Sequence, residues 1–229
     1  MQIGSTIIQN GLVLNIDVKN TKSYIGSGIR VNDLTLNRNN GTFINGVIVS
    51  SDSMVFNGSN SYVDCGINNS VVFSNNFTLM CWIKLTGNGG GVISKRKGAT
   101  FVDNYQISIG INGNISFQIN NNAGSSIGVS SARSIGVNKY GHVTCQLNNG
   151  TMLMYINTIL DVNTSSITGI ITDITSPLRF GTNHDLNSFF AGNLNNVLFY
   201  NRVLSNQEII QNYNATKSRY GLWAQLIII

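Results

Sequence analysis

The chain is predicted to be all-β and antiparallel, closing on a single helix, and three observations predict it. First, Phe77 to Leu85, Tyr105 to Ile111, Asn114 to Asn120, His142 to Leu147, Thr151 to Ile156 and Phe190 to Leu198 are short stretches rich in Val, Ile, Phe and Tyr, the pattern of half-buried strands. Second, Asn-Gly punctuation separates them, and that pair favours the positive-φ conformations of tight turns. Third, one capping box, Ser205-Asn-Gln-Glu208, stands near the C-terminus before an apolar side made of Leu204, Ile209, Ile210 and Tyr213.

Taken in order, Gly11 to Asp17 is a first strand, and an irregular polar passage through Gly26, Gly28, Asn37, Asn39 and Asn40 follows it. Strands resume at Met54 to Phe56 and Ser61 to Cys65, which Asn57-Gly58-Ser59-Asn60 is expected to join as a hairpin. In the next strand Phe77, Leu79, Cys81, Ile83 and Leu85 alternate strictly and share one face, leaving Met80 and Trp82 on the other. Trp82 therefore requires either a second layer or a ligand, and the plain expectation is a cover of loops or of the opposing sheet. Gly91 to Ser94 is a strand, and the basic run Lys95, Arg96, Lys97 reads as its solvated end, the alternative being contact with a negatively charged surface such as an anionic polysaccharide. Asn112-Gly113 and Asn148-Asn149-Gly150 mark two further hairpins. Pro177 precedes a short strand, Leu178 to Gly181, where its missing N–H is tolerated. The helix is expected over about 205–217, with Glu208, the sole glutamate, employed in its cap.

Composition limits the function. The 229 residues are enough for one substantial core, and only 10% are charged, well below the usual quarter. About one residue in seven is Asn, so amides and hydroxyls carry the solvation; A/T-rich coding produces such an excess, and so does a surface made for sugar hydroxyls. The net charge of +5 rests on dispersed Lys and Arg, not on the stripe that phosphate neutralisation demands, so nucleic acid is not an expected partner. Cys65, Cys81 and Cys145 are odd in number, lie in apolar strand stretches and read as small buried hydrophobes. No signal-peptide pattern opens the chain and no apolar run reaches membrane-spanning length, so synthesis in a reducing cytosol is expected.

With the order of these segments in hand, a family resemblance emerges. Leu36 to Gly46 (LNRNNGTFING), Phe56 to Gly66 (FNGSNSYVDCG), Phe77 to Lys84 (FTLMCWIK), Ile93 to Arg96 (ISKR), Met152 to Asn157 (MLMYIN) and Ala191 to Ile209 (AGNLNNVLFYNRVLSNQEI) resemble, in that order, the laminin-G-like, concanavalin-A-like jelly-roll family. The resemblance covers about residues 11–221. Versions of the domain in structural proteins of tailed bacteriophages are especially similar, with a strand like GLVLNID and a helix like NYNATKSRYG flanking it. It implies an antiparallel two-sheet jelly-roll sandwich over 1–221, often with a rim site for calcium or glycan. Two departures stand out. Where the family often carries Trp before a His-Val strand this chain has Tyr140, and where Asn-Gly commonly follows the Tyr-Ile strand it has Asn157-Thr158.

Catalytic constellations are missing from the sequence. Glycoside hydrolysis needs two carboxylates roughly 5 to 9 Å apart, yet no two of the nine acidic residues lie closer than twelve positions. There is no G-x-S-x-G elbow, only His142 and His184 are available as histidine bases, and Gly89-Gly90-Gly91 precedes a strand, not a phosphate-binding helix. The chain is therefore expected not to be an enzyme.

The best candidate site is the loop Thr182 to Phe190, where Asn183, His184, Asp185, Asn187 and Phe189 gather the amide, imidazole, carboxylate and aromatic groups that sugar sites use. Asp185, with Asn183, is also the candidate calcium ligand. The alternative is a polar turn whose Phe189 and Phe190 return to the core. Residues 222–229 are expected to form an apolar strand or tail that pairs with Ile3 to Ile8, with Gly11 to Asp17, or with a neighbouring subunit; Trp223, Leu226 and Ile227 are the candidate assembly contacts. From the resemblance the leading expectation is a non-enzymatic virion structural or surface protein, partnered by itself or other virion proteins and by host-surface polysaccharide. A free lectin, calcium-dependent or not, comes next, and a glycoside hydrolase third.

Overall fold

The computed structural model describes residues 5–96, 104–120, 126–164 and 174–222. Its strands pair antiparallel into two eight-stranded sheets. The first runs β14 (Ile159–Thr164), β13 (Thr151–Ile156), β12 (Tyr140–Asn148), β7 (Asn76–Leu85), β16 (Ala191–Tyr200), β5 (Ser53–Asn57), β4 (Ile48–Ser50), and β1 (Leu12–Ile16) also pairs with β16. The second runs β11 (Ser126–Ser134), β10 (Asn114–Asn120), β9 (Tyr105–Ile109), β8 (Gly90–Lys95), β15 (Arg179–Phe180), β6 (Tyr62–Asp64), β3 (Gly41–Ile44), β2 (Arg30–Val31). This is the two-sheet sandwich that the patterning predicts.

The main core fills the space between the sheets. Phe77, Leu79, Cys81, Ile83 and Leu85 from β7 meet Ile107, Phe117 and Phe180 from the second sheet, all of them buried. Phe73, Phe77 and Tyr105 form an aromatic centre with ring centroids 5.0 to 5.7 Å apart. The three cysteines are buried free thiols, and burial raises the pKa of each.

A second, smaller core lies on the outer face of the first sheet. Here the helix α1 (Asn206–Thr216) and a 3₁₀ turn over Lys217–Tyr220 cover Met80, Leu198 and Tyr200, with Leu204 and Ile209 between. Ser205 accepts the Glu208 N–H and the Glu208 carboxylate accepts the Ser205 N–H at 2.9 Å, so the capping box is complete. Glu208 is also gripped at both oxygens by Arg202, at 2.9 and 2.6 Å. The guanidinium, helped by the Ser205 amide, pushes its pKa down to about 2.

The expected result for Glu208→Ala is a loss toward the upper end of about 0.5–2 kcal/mol, since cap and ion pair go together. The folded state favours the ionised carboxylate, so this stabilisation is complete above the ordinary value of 4.5 and disappears as pH falls towards about 2. Urea unfolding of wild type and variant between pH 7 and pH 2 checks both statements; a difference that does not shrink on acidification sinks the second.

Three expectations need correction. Met54 to Phe56 and Ser61 to Cys65 are not a hairpin: β5 pairs with β16 and β4, whereas β6 pairs with β3 and β15. The Asn57 Oδ1 accepts the N–H groups of Ser59, Asn60 and Ser61, and this Asx-type turn carries the chain from one sheet to the other. Lys95 is not a solvated strand end. It is fully buried on the inward side of β8 beside Tyr105, and its ammonium donates to the Ser176 carbonyl at 2.7 Å. Trp82 is covered neither by loops nor by the opposing sheet but by the C-terminal helix and the 3₁₀ turn.

Asn149-Gly150, at φ 46° and 84°, makes the tight β12–β13 turn as predicted. Asn157-Thr158 makes the β13–β14 turn at φ 50° and 72°, a conformation that strains the β-branched Thr158. Trp223, Leu226 and Ile227, and the pairing expected of the 222–229 tail with the N-terminal segment, lie beyond Leu222 and so outside the described residues.

Candidate functional site

Strand alternation decides the character of the second sheet's outer face. Phe43, Val63, Phe180, Ile93, Ile107 and Phe117 all turn into the core, so their neighbours in each strand turn out. Those neighbours form one register row across all eight strands: Arg30, Thr42, Asp64, Arg179, Ser94, Gln106, Gln118 and Gly128. The row beside it holds Gly91, Ser108, Ser116 and Ser130. Amides, hydroxyls and glycine therefore make up most of the outward face, with Arg30 at its far edge and one charged pair, Arg179 to Asp64 at 3.5 Å.

At one end these rows sink into a groove of about 510 Å³. Its floor is Gln106, Ser108 and Ser116 on β9 and β10; Asn88 to Gly91, the Gly110–Ile111 turn, Asn183 and Ser188 wall it. Gln106 is buried, and its Oε1 has no hydrogen-bond partner. An unpaired buried amide oxygen costs free energy on the order of 1–3 kcal/mol, which a hydroxyl or N–H from a ligand would recover once the side chain turns that oxygen into the groove. Its register neighbour Ser94 has an unpartnered buried hydroxyl too.

The glycine run is what lets the wall form. A Cβ on Gly91 would lie 2.3 Å from the Asn183 nitrogen, one on Gly90 2.6 Å from the Phe189 backbone, and one on Gly89 2.3 Å from the Ile109 carbonyl oxygen. The loop after β15 thus lies directly on β8, held by Gly91 N–H donating to Ser188 O at 3.2 Å. No side chain fits between them.

That loop is the one singled out from sequence, and the structure divides its residues. Asn183 borders the groove, and its Oδ1 accepts the N–H groups of Asn187 and Ser188 at 3.1 and 3.2 Å while its Nδ2 donates to the Asn187 Oδ1 at 2.7 Å. His184 and Asp185 pair with each other at 2.9 Å. Neither lines the groove, nor do Asn187 and Phe189. Phe189 is half-buried, with backbone bridges to Gly91 and Thr182, and Phe190 enters the core. For calcium the residues do not fit: the amide oxygens of Asn183 and Asn187 are occupied within the loop, Asp185 is the loop's one carboxylate, and no cluster of three His, Cys, Asp or Glu occurs among the described residues.

Two-thirds of the chain, residues 57–210, matches the family model described as the concanavalin A-like lectin/glucanases superfamily. The chain belongs to this family. Compared with curated protein sequences, it matches none. Among solved structures it is similar to the botulinum neurotoxin serotype D binding domain, at 18% identity and a TM-score of 0.67 over 91% of this chain and 51% of that one. The binding domain of botulinum neurotoxin serotype G is similar at 17% and 0.67, over 88% and 50%, and that of Paraclostridial Mosquitocidal Protein 1 at 19% and 0.65, over 88% and 52%. This member of the superfamily thus spans about half the length of those domains, and the likeness is one of fold.

Sequence reading missed Gln106. The signal available was only that Gln106, Ser108, Ser116 and Gln118 are the polar members of alternating strands; that they share a face follows from a pairing register no local pattern prints. No helix is long and apolar enough to cross a membrane among the described residues.

Proposed function

We propose that this chain is a non-enzymatic glycan-binding module, and that the groove over Gln106 is where a neutral sugar enters. The observation that carries the reading is the unpartnered, buried Gln106 Oε1 at the floor of a groove lined by hydroxyls, amides and glycine backbone, with Ile109 and Ile111 as its apolar part. Sugars offer many hydroxyl donors and acceptors at short spacing, and such a lining answers them without charge. The neighbouring folds are toxin binding domains, which supports recognition over chemistry. Binding is independent of calcium on this reading.

A glycan array with and without a chelator tests it. Wild type is expected to give signal unchanged by chelation, and Gln106→Ala to weaken binding about two- to ten-fold, the worth of one hydrogen bond, without lowering the temperature of thermal unfolding. A blank wild-type array overturns the proposal. Loss of binding in Asp185→Ala with Gln106→Ala unaffected would place the site on the other flank of the loop.

For the carrier we propose a virion structural or surface protein, on the resemblance of the flanking GLVLNID and NYNATKSRYG segments to phage-borne versions. Mass spectrometry of purified particles tests this, and absence of the chain from them would exclude it.

A further inference from the structure

The first sheet carries a second cavity, unrelated to the groove. It encloses about 420 Å³ where β7 and β12 end beneath the 3₁₀ turn, and the residues that matter in it are Lys84, Asn138, Lys139, Tyr140, Asn157 and Tyr220. The geometry points to a site for a sugar that bears an acid group.

Charge is the first ground. Lys84 and Lys139 both line the cavity, and neither forms an ion pair among the described residues. The carboxylates near these aromatic rings are already engaged, Asp52 by Lys19 and Asp17 by Arg219 at 2.6 Å. An anion entering here meets two cations with no competing carboxylate in the lining.

The second ground is a rigid aromatic and amide frame. Tyr140 is fixed by a 2.8 Å hydrogen bond to Ser53, by Tyr220 at 4.7 Å between ring centroids, and by the Lys84 ammonium 5.1 Å from its own centroid. Register explains this last placement, because Lys84 and Tyr140 are cross-strand partners. Asn157 spends its Oδ1 on the His142 N–H at 2.8 Å, which leaves its Nδ2 as a donor. Amide donors beside a fixed tyrosine suit the hydroxyls and apolar ring face of a sugar, while the two ammonium groups suit a carboxylate or sulfate on that ring. A free inorganic anion would use the lysines alone.

Isothermal titration of the full chain tests this with three short oligosaccharides: a polyuronate, a sulfated one, and the polyuronate with its carboxylates reduced to alcohols. An acid-bearing oligosaccharide is expected to bind, more weakly as salt rises. The Lys84→Met, Lys139→Met double variant, which keeps apolar bulk, is expected to lose at least tenfold in affinity with unchanged thermal unfolding, whereas Gln106→Ala has no effect. Binding of the polyuronate alone assigns a carboxylate, binding of the sulfated compound alone a sulfate, and binding of both a site selective for charge. Equal binding of the reduced compound by the Gln106→Ala chain, whose neutral-sugar groove is disabled, binding of neither acid, full affinity in the double variant, or displacement by inorganic sulfate at equal concentration would each overturn the inference. Because the variants differ, failure here leaves the reading of the Gln106 groove untouched.

Discussion

Trp82→Ala is expected to lower the unfolding free energy by about 3–5 kcal/mol, the cost of removing a large side chain from a filled site. The indole is fully buried, donates its N–H to Thr216 Oγ1 at 2.9 Å, and lies stacked with Tyr220 and Tyr213 at centroid distances of 4.4 and 5.3 Å. All three partners belong to the helix or the 3₁₀ turn, so the loss falls on the docking of the C-terminal layer. Urea unfolding gives the magnitude, and amide exchange over 206–220 gives the location. A change under 1 kcal/mol, or unchanged exchange in the helix, would refute the account.

His142 gives the same layer a pH dependence. It packs 5.0 Å from Trp82 and 5.5 Å from Tyr213, and burial pushes its pKa down to about 3. The folded state holds it neutral while the unfolded chain binds a proton below the ordinary value of 6.5, so its contribution is complete above that pH and is lost as pH falls towards 3. His142→Gln is expected to flatten the stability profile in that window, and between 6.5 and 4.5 its effect is read apart from that of Glu208.

The second large effect is Gly91→Ala. In an ordinary strand position this substitution is favourable or neutral, because glycine loses the most backbone freedom on folding. Here the new Cβ would lie 2.3 to 2.5 Å from backbone atoms of Thr182 and Asn183, and a backbone clash cannot be relieved by a rotamer change. The loop must lift off β8, breaking the Gly91 to Ser188 hydrogen bond and moving one wall of the groove. A loss of about 1–3 kcal/mol is expected, together with loss of glycan binding. Gly110→Ala is the control for stability, since its Cβ would meet nothing nearer than 3.8 Å. Wild-type stability and binding in Gly91→Ala would show that the loop does not depend on this close approach.

What the sequence could disclose tracks how local the cause is. Phe77 to Leu85 is legible because alternation is a property of neighbours, and the Ser205 to Glu208 box because both partners lie within one turn. The strand over Ser126–Ser134 escaped notice because it is mostly exposed and rich in Ser and Gly, so it carries little apolar alternation. Its place is held instead by pairing with β10 and by Asp161, which accepts the Ala132 and Arg133 N–H groups from the edge of the other sheet. Lys95 misled for a related reason: charge suggests solvent, but register placed it beside Tyr105 with a carbonyl to receive it.

The sequence by itself determined the all-β class, the strict two-faced character of β7, the capped helix and the poverty of catalytic carboxylates. Each of these follows from residue type and spacing within a few positions. Tertiary structure alone decided that Asn57 crosses between sheets, that the C-terminal helix covers Trp82, and that Gly90 and Gly91 let a loop lie on a strand. It also placed Gln106 and the Lys84–Tyr140 pair in the linings of their cavities. Those outcomes depend on which strands pair and in what register, a choice made by burying apolar surface across the whole sandwich.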